Sequence, residues 1–532
     1  VRIWALLIST AVLLAGSMTS TLTQAPPRSG QTRPPQLFES ADRCQACHNN
    51  LRVSSGQDVS IGVDWRASMM AHSARDPYWQ AGVRREVLDH PQAAAAIEHE
   101  CSRCHMPMAH VTDVAAGGTG SVFANRGNPL AMDGVSCTVC HQIQKDKLGT
   151  PDSFTGHFVV DTTTPPGKRA VFGPFAIEPA LQGVMHSATA FEPTEGAHIQ
   201  SSELCATCHT LYTHALDEQG KTIGELPEQV PYLEWRHSDY REKTSCQSCH
   251  MPVVREPIRV SSTLGEPRED VSRHTFRGAN FWMLRVLNRY RDELGIAVSG
   301  AELELAVQDT LAQLQQDTAA LTIERVERRS GRLEFVVHVT NRAGHKLPTA
   351  YPSRRAWLHV TVRDEAERIV FESGAVNADG SIAGNDNDQR ADAFEPHYLE
   401  ISRSDQVQVY EDIMVDHRGA VTTGLLSGVR YVKDNRLLPA GFDKTRVPAD
   451  VAVLGEALTD PDFAGGGDRV RYDLALDGSG PLTIDAELLY QSIAFRWADN
   501  LRARPAAETD RFVRYYQSLS HVTAARLARA AH

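Results

Sequence analysis

The sequence predicts a mixed chain: a mostly helical and irregular N-terminal part, a helical brace, and a C-terminal β-rich, sandwich-like domain closed by a terminal helix. Three observations predict it. All ten cysteines fall into five CxxCH motifs between residues 44 and 250, in a segment punctuated by glycine and proline. Apolar residues at helical spacing follow over 281–320. Beyond them, apolar and polar residues alternate, as in half-buried strands. At 532 residues, the chain is expected to hold two domains and a targeting segment.

Residues 1–25 read as a secretory signal peptide, with Arg2 ahead of an apolar run over 3–16 and a Ser/Thr-rich flank. A retained anchor is the alternative, although the run falls short of the roughly 20 residues that span a bilayer. Residues 26–36 are a proline-rich linker. The expectation is an exported protein, periplasmic or at the cell surface. A formal charge of −12 argues against nucleic acid as a partner, because such binders displace counterions with basic surface.

The motifs are Cys44/Cys47/His48, Cys101/Cys104/His105, Cys137/Cys140/His141, Cys205/Cys208/His209 and Cys246/Cys249/His250. No cysteine is left over. Structural zinc would need paired CxxC but no following histidine, and disulfides need neither the spacing nor the histidine. CxxCH is the attachment signature of c-type haem: two thiols three positions apart form thioethers to one porphyrin edge, and the next histidine meets the iron. Five haem c groups are therefore expected in a multihaem domain over 37–280, where the porphyrins replace an ordinary core. His105 and His250 both continue into Met-Pro, which hints at a repeated unit.

The brace over 281–320 comprises two amphipathic helices. The β-rich domain follows over 321–490: Leu333, Phe335, Val337 and Val339 share one face of a strand, and Leu358, Val360 and Val362 share another. Further strands are expected at 406–415, 468–475 and 481–490. A C-terminal helical segment over 491–532, with its helix near 507–530, closes the chain.

With the motif series, the phrases SMMAHSARDPYW, ELCATCHTLYTH, CQSCHMP and GHKLPTAYPSRRAWLHV give a chain that resembles the multihaem cytochromes related to hydroxylamine oxidoreductase and pentahaem nitrite reductase. The resemblance implies closely stacked haems that pass electrons from iron to iron. One departure matters: the nitrite reductases carry lysine in the catalytic motif, whereas all five motifs here end in histidine.

Five proximal histidines leave seventeen of the 22 to supply distal ligands. His72 lies in a Met-rich phrase, His186 follows Gly183-Val184-Met185, His198 precedes the fourth motif, and His274 leads into the brace. His345 sits in the stiff turn Gly344-His345-Lys346-Leu347-Pro348 that leaves a strand, which would present an imidazole across the domain boundary. His110, His214 and His397 are the runners-up. His338 and His359 lie within strands and suit a polar-face role. Met69, Met70 or Met185 in place of a histidine would raise a haem's potential.

Asp386, Asp388 and Asp392 offer clustered oxygens of the kind calcium accepts, against the plainer reading of a polar loop. The favoured function is electron transfer through mostly bis-histidine haems, with no catalytic residue and with redox proteins as partners. The alternative is an oxidoreductase acting on a small nitrogen or sulfur compound at one open haem. The β domain is a further expected docking surface, for an outer-membrane partner or for other copies of the chain.

Overall fold

Helices in the motif-bearing part are mostly short because glycine and proline interrupt it, and a side-chain cap opens a few of them. The computed structural model describes residues 36–476 and 480–532. The expected export segment and nearly all of the expected linker lie outside these. Pro77–Asp89 begins where Asp76 accepts hydrogen bonds from the Tyr78 and Trp79 amides, with proline at its first position. Four of the motifs lie wholly or partly in such helices, at Ala41–Gln45, Ala94–His105, Ser202–Ala206 and Cys246–His250. The remaining one is the single turn Cys137–Cys140. A helical turn puts residues three apart on one face, which suits two thiols that must reach the same porphyrin edge.

The brace comprises Phe281–Arg289 and Gly300–Asp317, the latter opened by a reciprocal Ser299–Glu302 capping box. Trp282 packs edge-on against Phe512 and Tyr516, and Phe281 lies against Tyr490. These contacts seat the first brace helix between the strand Leu482–Gln491 and the helix Ala507–Leu519.

The β-rich part is built on two sheets. One has the order Ala319–Arg329, Arg332–Asn341, Gly467–Ala475, Glu400–Ile401; the other runs Val409–Tyr410, Arg355–Asp364, Leu482–Gln491, Ala524–Ala531, with Ile369–Ser373 also on Arg355–Asp364. Arg332–Asn341 pairs antiparallel with Gly467–Ala475 in the register Leu333↔Leu474, Val337↔Val470. Its alternating apolar residues are all buried. Phe335 stacks on Tyr472 at 4.8 Å, and Phe371 from the other sheet meets Tyr472 edge-on at 6.3 Å, so the two inner faces share one core.

Two expectations change. The stretch 406–415 divides into Val409–Tyr410 and Asp412–Val415, which belong to different sheets; the second pairs with Val421–Thr422 and Arg430–Asp434. The last element is a strand, not a helix: Ala507–Leu519 ends early and Ala524–Ala531 pairs with Leu482–Gln491. Ala525 and Leu527 face inward, while Arg526 and Arg529 reach Glu487 and Asp485 across the ladder. Tertiary pairing overrides the helix propensity of an Ala/Arg/Leu sequence.

Candidate haem centres

Each motif histidine has an acceptor behind it. His48 Nδ1 lies 2.6 Å from the Val260 carbonyl, His105 Nδ1 3.2 Å from Ser73, His141 Nδ1 2.5 Å from Phe172, and His250 Nδ1 hydrogen-bonds Arg277 O. His209 faces the Gln229 side chain. Donating Nδ1–H to a carbonyl fixes the tautomer and leaves the Nε2 lone pair for a metal. Burial favours the neutral imidazoles that ligation requires, holding His105 and His250 down to about 4 and depressing His141 and His209.

Two further histidines stand opposite motif histidines in matching geometry. The His141 and His274 rings have centroids 6.4 Å apart and planes 16° apart; for His250 and His345 the values are 6.3 Å and 13°. Imidazoles whose nitrogens each lie about 2 Å from a shared metal have ring centroids about 6.3 Å apart. Both partners turn Nδ1 to a local carbonyl, His274 to Ser272 at 3.1 Å and His345 to Lys346 at 2.8 Å.

The other predicted distal residues divide. His72 is buried, both of its ring nitrogens lack a hydrogen bond, and burial holds it down to about 4. A buried imidazole without a partner is what a metal ligand leaves when only the protein's own atoms are considered. His186 is half-exposed, and its Nε2 lies 2.7 Å from Gly167 O. His198 Nε2 lies 2.9 Å from Ile143 O, while its ring edges Phe172, whose carbonyl faces His141. The structure therefore commits the Nε2 of both to carbonyls and pairs neither with a motif histidine. Among the runners-up, His110 is buried with Nδ1 on Ser102 Oγ, His214 is exposed, and His397 belongs to a buried network with Asp460, Gln408 and Asn435.

None of the ten cysteines is in a disulfide, which leaves each one available for a thioether. Their contacts show which motifs are neighbours. Cys44 meets Cys137, Cys104 meets Cys208, and Cys205 meets Cys246. Cys140 lies near both Cys205 and Cys208. The fourth motif thus adjoins the second, third and fifth, and the first adjoins the third.

The five motifs, alike in sequence, are not equivalent in the structure, and Cys47 is where the first departs. The helix Ala41–Gln45 ends before Cys47, as Ser202–Ala206 ends before Cys208. A turn replaces the missing helix in each: the Cys47 amide donates to Cys44 O at 3.2 Å and the Cys208 amide to Cys205 O at 3.3 Å. Cys208 still reaches another motif, whereas Cys47 is held through its backbone. The Cys47 carbonyl accepts from the Ser262 amide at 2.8 Å and from Ser262 Oγ at 3.1 Å, so the loop after the fifth motif fastens it. Cys249, the second thiol of the fifth motif, belongs to an exposed residue.

The surroundings suit a large planar group held by thioethers. Gly156, at φ +72°, brings backbone so close to the second motif that an added Cβ would lie 2.9 Å from Cys104 Sγ. Trp79 stacks on the His105 ring at 4.4 Å. The donor set of paired thiols, neutral imidazoles and an unpartnered His72 fits haem c.

The acidic stretch does not gather its carboxylates as a calcium site would. Asp388 is spent on Arg355 at 2.8 Å and Asp392 on Arg390 at 3.3 Å, and the three carboxylates, Asp386 included, do not converge among the described residues.

Sequence reasoning missed the acceptors behind the histidines, because backbone carbonyls carry no residue signature. It also missed the charged residues that hold the two paired distal segments.

Residues 41–142, which carry the first three motifs, match the family described as cytochrome c554 and c-prime. The fold is similar to the crystal structure of a penta-heme cytochrome c552 from Thermochromatium tepidum, with a TM-score of 0.53 at 13% identity, over 94% of this chain and 99% of that one. No curated protein matches in sequence. Among the described residues, no helix is long and apolar enough to cross a membrane. The family match supports a c-type cytochrome over residues 41–142, and the structural likeness shows a shared fold.

Proposed function

We propose that the chain is an exported electron carrier holding five covalent haems, at least two of them bis-histidine, in the periplasm or at the cell surface. The observation that carries this reading is the pairing of His141 with His274 and His250 with His345 at the separation one iron requires. Haem c, when bound, supplies a reversible one-electron ferric/ferrous couple at each motif. The protein's own contribution is placement. The cysteines fix the porphyrin edge, the Nδ1 acceptors orient the imidazoles, and the contacts between motifs set the order of neighbours. With the fourth motif adjoining three others, the path branches there instead of running as a single file. Redox proteins are the partners in this reading, and the β-rich part is the docking surface for an outer-membrane partner or a second copy.

Low-temperature electron paramagnetic resonance on the oxidised protein, with mass spectrometry for haem count, tests this reading. Five added haem masses are expected, and His274→Ala and His345→Ala should each convert one low-spin haem to high spin. Fewer than five masses, or no spectral change in either variant, defeats it.

The second reading, an oxidoreductase on a small nitrogen or sulfur compound at one open haem, is favoured by a different observation. Among the described residues no second imidazole faces His48, His105 or His209 at the paired spacing. Glu228, buried and lifted to about 7 by that burial, lies near Cys101 of the second motif as a proton-exchanging group. A high-spin haem in the unaltered protein that shifts on adding nitrite or hydroxylamine would favour this reading.

A further inference from the structure

Both paired distal histidines are followed or preceded by a cation whose segment is tied to a buried carboxylate on a different part of the chain. We propose that Asp64 and Glu234 are positioning residues: each carboxylate holds the segment that presents a distal imidazole, Asp64 for His274 and Glu234 for His345. This inference rests on the ligation reading above.

The two sites use the same device. Arg273, next to His274, donates from Nε to Asp64 Oδ2 at 2.9 Å and from Nη2 to Oδ1 at 2.5 Å, a two-pronged pair with both side chains largely buried. Asp64 lies on the helix Ile61–Arg66, just after the first motif. The anchored segment also does a second task, since its Arg277 carbonyl receives His250 Nδ1. One short stretch therefore faces the third motif with a side chain and the fifth with its backbone.

Glu234, fully buried on the helix Pro231–Arg236, lies between the fourth and fifth motifs. Its Oε2 accepts from the Lys346 amide at 3.1 Å and from Thr349 Oγ1 at 2.5 Å, so it grips the chain on both sides of the Leu347-Pro348 step. Its Oε1 pairs with Arg436 at 3.1 Å. Arg436 and Lys346 Nζ both bind Asp434, and Asn341 Nδ2 holds the His345 carbonyl at 2.9 Å. Surface loops of this length are ordinarily mobile; here a carboxylate from the motif-bearing part fastens the loop that the β-rich part extends toward the fifth motif.

A carboxylate accepts from every side, and the matching amide does not. Asn at 64 or Gln at 234 would turn an NH2 toward Arg273 or Arg436, which can only donate. Segment placement should loosen chiefly at that imidazole and, for Asp64, also at the Arg277 carbonyl behind His250.

The test uses the purified, haem-loaded full chain. Asp64→Asn should reproduce the spectral change of His274→Ala, and Glu234→Gln that of His345→Ala: one low-spin signal is lost or broadened and that haem's potential shifts, with a smaller shift at the fifth-motif haem for Asp64→Asn, where the Arg277 carbonyl holds His250, and no change at the rest. If the alanine variants change the spectrum while the amide variants match the parent in spectrum and potentials, the positioning role is overturned and ligation stands. If the alanine variants change nothing, the ligation reading itself falls. Should an amide variant fail to fold, Arg273→Lys or Thr349→Val takes its place, each giving up part of the grip while the carboxylate stays charged. A parent-like spectrum in those variants overturns the proposal, and a change centred on the haem of the matching distal histidine supports it.

Discussion

The two halves of the molecule are held together by different means. Beyond residue 280, most buried apolar side chains form one large core in which both sheets, the brace and the helix Ala507–Leu519 take part, with a small separate cluster around Trp357 and Val409. Before residue 280 they fall mostly into separate small clusters, such as Leu51, Val59 and Val254, or Phe154, Ala206 and Tyr232. Apolar burial stabilises in proportion to area removed from water, so clusters of this size hold little by themselves. The comparison teaches that the β-rich half is an ordinary folded body, whereas the motif-bearing half is built to close around its cofactors.

Removing the cofactors should break the comparison most visibly. In cells that lack covalent haem attachment, residues 37–280 are expected to be digested rapidly by a non-specific protease while a fragment beginning near the brace survives. The measurement is limited proteolysis with mass spectrometry of the remnants. Equal resistance of both halves would show that the small clusters suffice.

A core substitution in the other half is the converse. Phe335 is buried and stacked on Tyr472 between the sheets. Phe335→Ala should cost about 3–5 kcal/mol in the unfolding free energy of that half, read by denaturant titration, with the haem spectra unchanged. A spectral change would mean that the β-rich core is coupled to the motifs beyond the His345 loop.

The same contrast decides what the sequence made legible. The motifs could be read because thioether attachment is local chemistry that fixes residue spacing. That chemistry says nothing of what surrounds each thiol, so the backbone hold on Cys47 by Ser262, more than 200 positions away, left no trace in the motif. The strand Arg332–Asn341 could be read because it buries alternate residues throughout, and Leu482–Gln491 because it does so from Ile484 to Leu488, which imposes a period of two. Which histidines stand opposite the motifs is a long-range property. His345 had a local cue in its stiff turn, whereas His186 and His198 had similar context, yet their Nε2 atoms face carbonyls. Asp64 and Glu234 carried no signal, since a buried carboxylate looks like any other until its arginine is found in space. The terminal strand was hidden because Ala524–Ala531 has helix-forming composition and gains its extended form only from Leu482–Gln491.

The seam between the halves offers the gentlest test. Glu508, on the C-terminal helix, binds Arg84 of the helix Pro77–Asp89 at 2.8 Å and Arg126 at 2.5 Å, and both guanidinium groups lie over the Phe123 ring. Burial would lift its carboxyl, but the hydrogen bonds from the two arginines outweigh burial and hold it at about 2. The folded value lies below the unfolded value of about 4.3, so the pair's contribution is complete above that pH and is lost as pH falls toward 2. Glu508→Gln should therefore lower stability at pH 7 by roughly 2 kcal/mol, with the gap between variant and parent closing between about pH 4 and pH 2. Thermal unfolding of both proteins across that range reads the gap. A gap that stays constant with pH would mean that Glu508 joins the halves through packing and not through its charge, and the seam would then resemble the β-rich core more than the ligand-held half.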